Sequence, residues 1–286
     1  MHSSSSQPLA PPAAAAASAS SSVSPPLLDL PAIGAHSALF LDFDGTLVDL
    51  APQPEAVQLV AGLVPALARL STLLDGALAI VSGRTLADLD GFLAPLRLPA
   101  AAEHGAQRRV AGGVAVSLAA PDLQEVARRA AELMVHHPGL RVEVKSAAVA
   151  LHYRHAPELE SLCLQVMQEA AASTPGVELL RGKFVFEVKP SGVSKGTAIQ
   201  AFMAEPPFAG RIPLFAGDDT TDEAGFSAVQ FMGGEGIKVG EGATLARYRC
   251  ASPAALLQWL DDALRAALSP TEHSPLASVT TRGAHS

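Results

Sequence analysis

Two short apolar runs in this chain stop at carboxylates. The first, Ser37–Phe43 (SALFLDF), leads into Asp42-Phe43-Asp44-Gly45-Thr46. The second, Ile212–Ala216 (IPLFA), leads into Gly217-Asp218-Asp219-Thr220-Thr221-Asp222. A short apolar run with turn signals at its end reads as a buried strand of a parallel sheet. Ligands of open parallel sheets bind beyond the carboxyl ends of the strands. Ser82-Gly83-Arg84 closes a third such run, Ala77–Val81. Each acidic turn alone reads as turn and helix capping. Together they converge carboxylates on one place, and an all-oxygen set of that kind suits magnesium.

The runs alternate with helices. Helices are expected over Glu55–Leu74 with a distortion at Pro65, and over Thr85–Leu93, Ser194–Ala204 and Pro253–Leu268, with another from Asp222. A further strand is expected near Ile237–Val239. The middle of the chain reads differently, as helix–strand–strand twice. Helix Pro121–His137 precedes strands Arg141–Lys145 and Ala148–Arg154; helix Pro157–Ala172 precedes Val177–Leu180 and Lys183–Val188. In KFVFEV, Phe184, Phe186 and Val188 alternate with Lys183 and Glu187; in RVEVK, Val142 and Val144 alternate with Arg141, Glu143 and Lys145. One face is thus apolar and the other charged, as in an antiparallel sheet with helices on one side. The expected architecture is α/β, with a Rossmann-like parallel-sheet core over 31–106 and 190–268 and an inserted α+β unit over 107–189.

The ends read as tails. Residues 1–26 contain nine Ser, seven Ala and five Pro with no Lys, Arg, Asp or Glu, so 1–30 is expected to be disordered, as is 269–286. No apolar run approaches the roughly 20 residues that span a bilayer, so no membrane partner is expected. The formal net charge of −8 argues against nucleic acid as a partner. Two cysteines, Cys163 and Cys250, exclude a disulfide scaffold and favour a reducing compartment, hence a cytoplasmic location.

The segments FLDFDGTL, VSGR, VSKG and GDDTTDE, in this order, resemble the four motifs of the haloacid dehalogenase-like (HAD) phosphatases. With AAEHG (Ala101–Gly105), VEVKSAAVALHYR (Val142–Arg154) and GKFVFEVKP (Gly182–Pro190), the chain resembles more closely the trehalose-6-phosphate phosphatases. The resemblance spans about Ser37 to Leu268. It implies a HAD-like core carrying a C2B-type cap, and hydrolysis of trehalose 6-phosphate to trehalose and phosphate.

The resemblance also implies roles. Asp42 is the nucleophile that forms an aspartyl-phosphate, and Asp44 the general acid and base. Thr46, Ser82 and Lys195 assist with hydroxyl contacts and charge. Magnesium is held by Asp42, the Asp44 carbonyl, Asp218 and, through a water, Asp222. Asp219 reads either as a ligand or as a helix N-cap. Glu143, Lys145, Arg154, Lys183 and Glu187 match polar sugar-binding positions of the cap, although such a charged face could equally be solvated. Glu103 and His104 are candidate lining of the sugar pocket. Cap hinges are expected around Gly105–Arg109 and Lys189–Gly192. No synthase domain fits in 286 residues, so a functional link to a separate trehalose-6-phosphate synthase is implied. The alternatives left open are a phosphatase of sucrose phosphate, mannosylglycerate phosphate or a hexose phosphate, a phosphomutase, and a non-catalytic phosphosugar sensor.

Overall fold

The computed structural model describes residues 29–51, 56–110, 113, 115–117 and 121–268; of the tails expected over 1–30 and 269–286, residues 1–28 and 269–286 lie outside the described residues, and Leu30 packs against the core. In chain order the elements are β1 (Ser37–Leu41), α1 (Leu63–Leu73), β2 (Leu78–Val81), α2 (Leu86–Leu93), β3 (Ala100–Ala102), β4 (Gln107–Arg109), β5 (Ala115–Ser117) and α3 (Gln124–His136). There follow β6 (Arg141–Val144), β7 (Val149–His152), α4 (Glu160–Ala172), β8 (Val177–Gly182) and β9 (Val185–Pro190). The chain then forms α5 (Lys195–Met203), β10 (Ile212–Gly217), α6 (Glu223–Phe231), β11 (Glu235–Val239), β12 (Tyr248–Cys250) and α7 (Pro253–Leu268).

Eight strands form one sheet in the order β12-β11-β10-β1-β2-β3-β4-β5. The run from β12 to β3 is parallel, and β4 and β5 add antiparallel to its edge. β1 and β2 are buried along their whole length, as expected of strands covered on both faces. Phe40 on β1 packs on Phe208 and Phe202, with ring centroids 5.3 and 5.9 Å away, and this aromatic group ties α5 to the sheet centre.

The remaining strands form a second, antiparallel sheet, β6-β7-β9-β8. Its apolar face carries Val149, Leu151, Phe186 and Val188, which pack with Val126 and Ala130 of α3 and Cys163 and Met167 of α4. Among the described residues no helix is long and apolar enough to cross a membrane.

Several expectations shift. The helix placed over Glu55–Leu74 begins at Leu63, after Gly62 at φ 92°. Pro65 therefore falls in its first turn, where a missing N–H costs no intrahelical bond, and no distortion results. The larger sheet continues past the expected boundary at residue 106, because β4 and β5 belong to it. Arg109 is forked onto Asp90, and Arg108 pairs with Glu205, so both side chains tie the segment Gly105–Arg109 to the core in this state. Lys189, buried at the other crossing, is held by Glu178 and the Val193 carbonyl. Phe184 sits in the β8–β9 turn at φ 62°, half-exposed, with its ring 5.9 Å from Tyr153. Val144 lies at the uncovered end of β6 and is 66% exposed.

Phe40→Ala is expected to cost about 3–5 kcal/mol, the usual range for emptying a buried phenylalanine site. Phe231→Ala, at an 88% exposed side chain, should stay within about 0.5 kcal/mol. Denaturant unfolding of the two variants measures both.

Candidate active site

The parallel strands deliver their polar ends to one place. Asp42 follows β1, Ser82 follows β2, Glu103 follows β3 and Asp218 follows β10. Gly45 takes φ 76°, and a Cβ there would lie 2.2 Å from Asp218 Oδ2, so only glycine lets the first acidic loop close against the last. Lys195 enters from the first turn of α5, whose N-cap Ser194 forms a reciprocal capping box with Thr197.

Lys195 Nζ lies 2.7 Å from Asp42 Oδ1 and 2.6 Å from Asp222 Oδ1. All three side chains are buried. Asp222 also accepts the backbone N–H groups of Asp218 and Asp219, at 2.9 and 2.8 Å. Thr46, fully buried, donates to Asp42 Oδ2 at 3.4 Å. Ser82 Oγ accepts the Arg84 N–H at 3.2 Å, which leaves its own proton to donate. Asp219 is an N-cap: its carboxylate accepts the Thr220 N–H, in a capping box with Asp222.

Carboxylate oxygens of Asp42, Asp218 and Asp222 lie within 4.8 Å of one another. Burial first, then Asp222 and Asp218, push the Asp42 carboxyl well above the usual range despite Lys195. Burial and then Asp222 raise Asp218 to about 6. Burial alone would lower the Lys195 ammonium, but Asp222 and Asp42 outweigh it and hold it above the ordinary lysine value. Crowded, desolvated oxygens of this kind fit a hard divalent cation, which would favour their charged forms. The Asp44 side chain is not part of this cluster. Both its oxygens accept the Arg84 fork, at 2.7 and 2.6 Å.

A cleft of about 640 Å³ opens beside these groups. Asp44, Gly83, Arg84 and His104 line it from the larger sheet, and Glu143, Lys145, Arg154, Lys183 and Glu187 from the second. Six of the seven expected sugar-binding residues thus share one cavity. Glu103 is not among the lining residues: it is buried, with both oxygens bonded to Ser146 and Ala147.

The floor of the cleft is the polar face of the second sheet. Ala150 stands between Glu143 and Glu187 in register, and its small side chain leaves space there. Lys145 Nζ reaches Glu187 Oε2 at 2.6 Å and the Gly83 carbonyl at 3.1 Å. Burial would lower that ammonium, but Glu187 and Glu143 outweigh it and the shift is upward. His104 Nε2 is 3.5 Å from Glu187 Oε1. Burial, then Lys145 and Lys195, depress the His104 imidazole well below its ordinary value, so it is neutral. Among the described residues, His104 Nδ1 and Glu187 Oε1 are buried without a hydrogen-bond partner. Buried polar atoms rarely stay unpaired, so these two mark where a polar ligand fits.

The residues of the site that sequence reasoning gave no role are Arg84 and Lys238. Lys238 is buried on β11 and donates to the Asp218 carbonyl. A lysine inside the apolar run Gly236–Val239 was the signal for it.

A model of the trehalose-phosphatase family matches residues 40–253. The chain is 41% identical over 238 residues to the trehalose-6-phosphate phosphatase of Escherichia coli strain K12, covering 82% of this chain and 90% of that one. The C-terminal domain of Candida albicans trehalose-6-phosphate phosphatase superposes with a TM-score of 0.72 at 25% identity, covering 81% of this chain and 93% of that one. A phosphatase of the haloalkanoate (HAD) superfamily from Bacteroides thetaiotaomicron shares the fold, with a TM-score of 0.55 at 17% identity over 85% of this chain and 98% of that one.

The raised Asp218 carboxyl sets a sign. Its folded value of about 6 exceeds the ordinary one, so the folded state binds more protons between about pH 4 and 6. Without a divalent cation, stability should fall as pH rises through that window. Magnesium chloride should therefore raise the thermal midpoint more at pH 7.5 than at pH 4.5, against an EDTA control. Asp218→Asn should raise the cation-free midpoint at pH 7.5 by a few degrees and remove most of the magnesium gain. An equal gain at both pH values would refute the assignment.

Proposed function

This chain belongs to the trehalose-phosphatase family, and from that premise we propose that it hydrolyses trehalose 6-phosphate to trehalose and phosphate. The reading adds magnesium dependence and an aspartyl-phosphate on Asp42. The observation that carries it is the buried Asp42 carboxylate, held by Lys195 at 2.7 Å beside Asp218 and Asp222. A nucleophile aimed by an ammonium and desolvated by its fold suits attack on a phosphate monoester.

In this reading Asp42, Asp218 and the Asp44 carbonyl would hold the magnesium, with Asp222 behind a water, and the bound ion would neutralise charge between the carboxylates and the phosphate. An Asp42 oxygen bonds to phosphorus while the bond from phosphorus to the sugar oxygen breaks. Asp44 gives its proton to that oxygen. Asp44 then takes a proton from water as the water oxygen attacks phosphorus, and the bond to Asp42 breaks. Lys195 stays bonded to Asp42 and balances charge on the phosphoryl group. Ser82 would donate to a phosphoryl oxygen, and Thr46 would keep Asp42 oriented. Asp44 can act only once Arg84 gives up one of its oxygens, and a phosphate dianion is a strong competitor for a guanidinium fork.

The second sheet would serve as the cap. His104, Glu143, Lys145, Arg154, Lys183 and Glu187 would read the sugar hydroxyls. A hydroxyl both donates and accepts, so it can satisfy the unpaired His104 and Glu187 atoms. A site built this way rejects sugars that leave its polar groups unpaired. Cys163 and Cys250 are free and buried, in keeping with a cytoplasmic enzyme, supplied with substrate by a separate synthase.

The test is phosphate release from trehalose 6-phosphate, sucrose phosphate, mannosylglycerate phosphate and a hexose phosphate, each with and without magnesium. Release should require magnesium and favour trehalose 6-phosphate; comparable rates on all four would refute the sugar assignment. Asp42→Asn should abolish turnover while the circular dichroism spectrum is unchanged. Asp44→Asn should lower kcat by roughly 10²–10⁴-fold, the usual range for a lost acid–base group.

A further inference from the structure

We infer that Glu103 is a positioning residue: its buried carboxylate latches the β6–β7 turn to the larger sheet and so sets Lys145 and Glu187 over the catalytic carboxylates. The inference rests on the cleft being the phosphosugar site, and it moves Glu103 from contacting substrate to holding the groups that do.

Glu103 is 1% exposed and lies just past β3. Its Oε1 accepts the Ser146 hydroxyl at 2.7 Å and the Ser146 N–H at 3.3 Å; its Oε2 accepts the Ala147 N–H at 2.9 Å. These donors belong to the tight turn between β6 and β7, closed by the Lys145 N–H on the Ala148 carbonyl at 2.8 Å. Bonds to a carboxylate are among the stronger hydrogen bonds, and three of them converge on this buried one, two from the exposed Ser146 and one from the buried Ala147. Gln107 Nε2 adds a bond to Ser146 Oγ at 2.6 Å. Beside the latch Ala106, Ala147 and Val193 form a small buried apolar cluster, which covers its Ala147 side.

The latch stands one residue from the working groups on both sides. Lys145 immediately precedes Ser146 and bonds both Glu187 and the Gly83 carbonyl. His104 immediately follows Glu103 and faces Glu187. Glu103 and His104 take φ 48° and 58°, a left-handed geometry that ordinary residues avoid. It is fixed by the Glu103 N–H on the Arg84 carbonyl and the His104 N–H on the Ser82 carbonyl, both 2.9 Å. One rigid corner of the larger sheet therefore aims one side chain at the turn and the next at the cleft.

Glutamine at 103 would turn an NH₂ group toward the turn and leave the Ser146 or the Ala147 N–H without an acceptor, whereas aspartate keeps acceptors on both oxygens on a shorter stem. The experiment uses the full-length chain, with small-angle scattering in the absence of substrate and steady-state kinetics on trehalose 6-phosphate and p-nitrophenyl phosphate. Glu103→Gln should enlarge the radius of gyration and raise KM for trehalose 6-phosphate about tenfold or more, the scale of a lost charge-assisted bond. Turnover of p-nitrophenyl phosphate, which carries no sugar, should stay within about twofold, and Glu103→Asp should restore part of both effects. Should Glu103→Gln not fold, Ser146→Asp, which sets a like charge against Glu103 from an exposed position, should open the chain and raise KM in the same way. Unchanged scattering in every folded variant would overturn the latch, even with KM raised, because direct contact with the sugar would then suffice. If the wild-type chain leaves trehalose 6-phosphate intact, the functional reading fails, and scattering still decides the latch.

Discussion

The buried Lys195 ammonium, shared between Asp42 and Asp222, is the interaction on which the rest of the site depends. Without a cation there, two carboxylates would lie desolvated against each other, a costly arrangement. Lys195 also joins parts of the chain that meet nowhere else in sequence: the end of β1, the start of α5 and the turn after β10. Three carboxylates around one ammonium leave two negative charges, the charge of one divalent cation. Lys238, whose ammonium lies on the Asp218 carbonyl, offsets part of that charge and draws Asp218 downward, but less than burial and Asp222 push it up. The site is thus built short of positive charge, which explains why burial and mutual repulsion, rather than any single neighbour, raise both Asp42 and Asp218.

The parts of this arrangement legible in the sequence were those fixed by short-range pattern. β1, β2 and β10 are apolar runs with polar residues at their ends, and in a parallel sheet those ends must meet. Alternation in β6 and β9 likewise told which side chains face the cleft. Illegible parts depended on contacts remote in sequence or on weak local pattern. β3 is Ala-Ala-Ala and β4 is Gln-Arg-Arg, neither of which alternates, so their place on the edge of the larger sheet left no trace. Phe184 continues the alternation on paper, yet it falls in the hairpin turn in a left-handed conformation, and its half-exposed ring keeps an edge contact with Tyr153. Glu103 looked like pocket lining because it adjoins His104; its real partners lie 43 and 44 residues away.

The two sheets divide the work by the kind of charge they carry. The larger sheet holds an acidic cluster suited to a cation and a phosphate. The second presents Glu143 and Glu187 against Lys145 and Arg154, so its polar face is mixed in sign, and many of its charges are already paired. A neutral, hydroxyl-rich group fits such a face better than a second anion would, because it can bridge paired charges without unbalancing them.

Pairing within the cleft already engages two of its cations. In this state the Arg84 fork occupies both Asp44 oxygens, and Arg84 stacks over Phe92 at 5.2 Å. Lys145 is committed to Glu187 and to a backbone carbonyl of the opposite sheet. Arg84 and Lys145 therefore each have an internal acceptor, which a ligand must match before it can displace it. Water molecules compete poorly for a guanidinium fork or a buried ammonium. A phosphate monoester attached to a polyhydroxyl group competes well at both ends at once. The same internal bonds that keep the empty cleft ordered thus make it selective for a ligand carrying an anion and hydroxyls together.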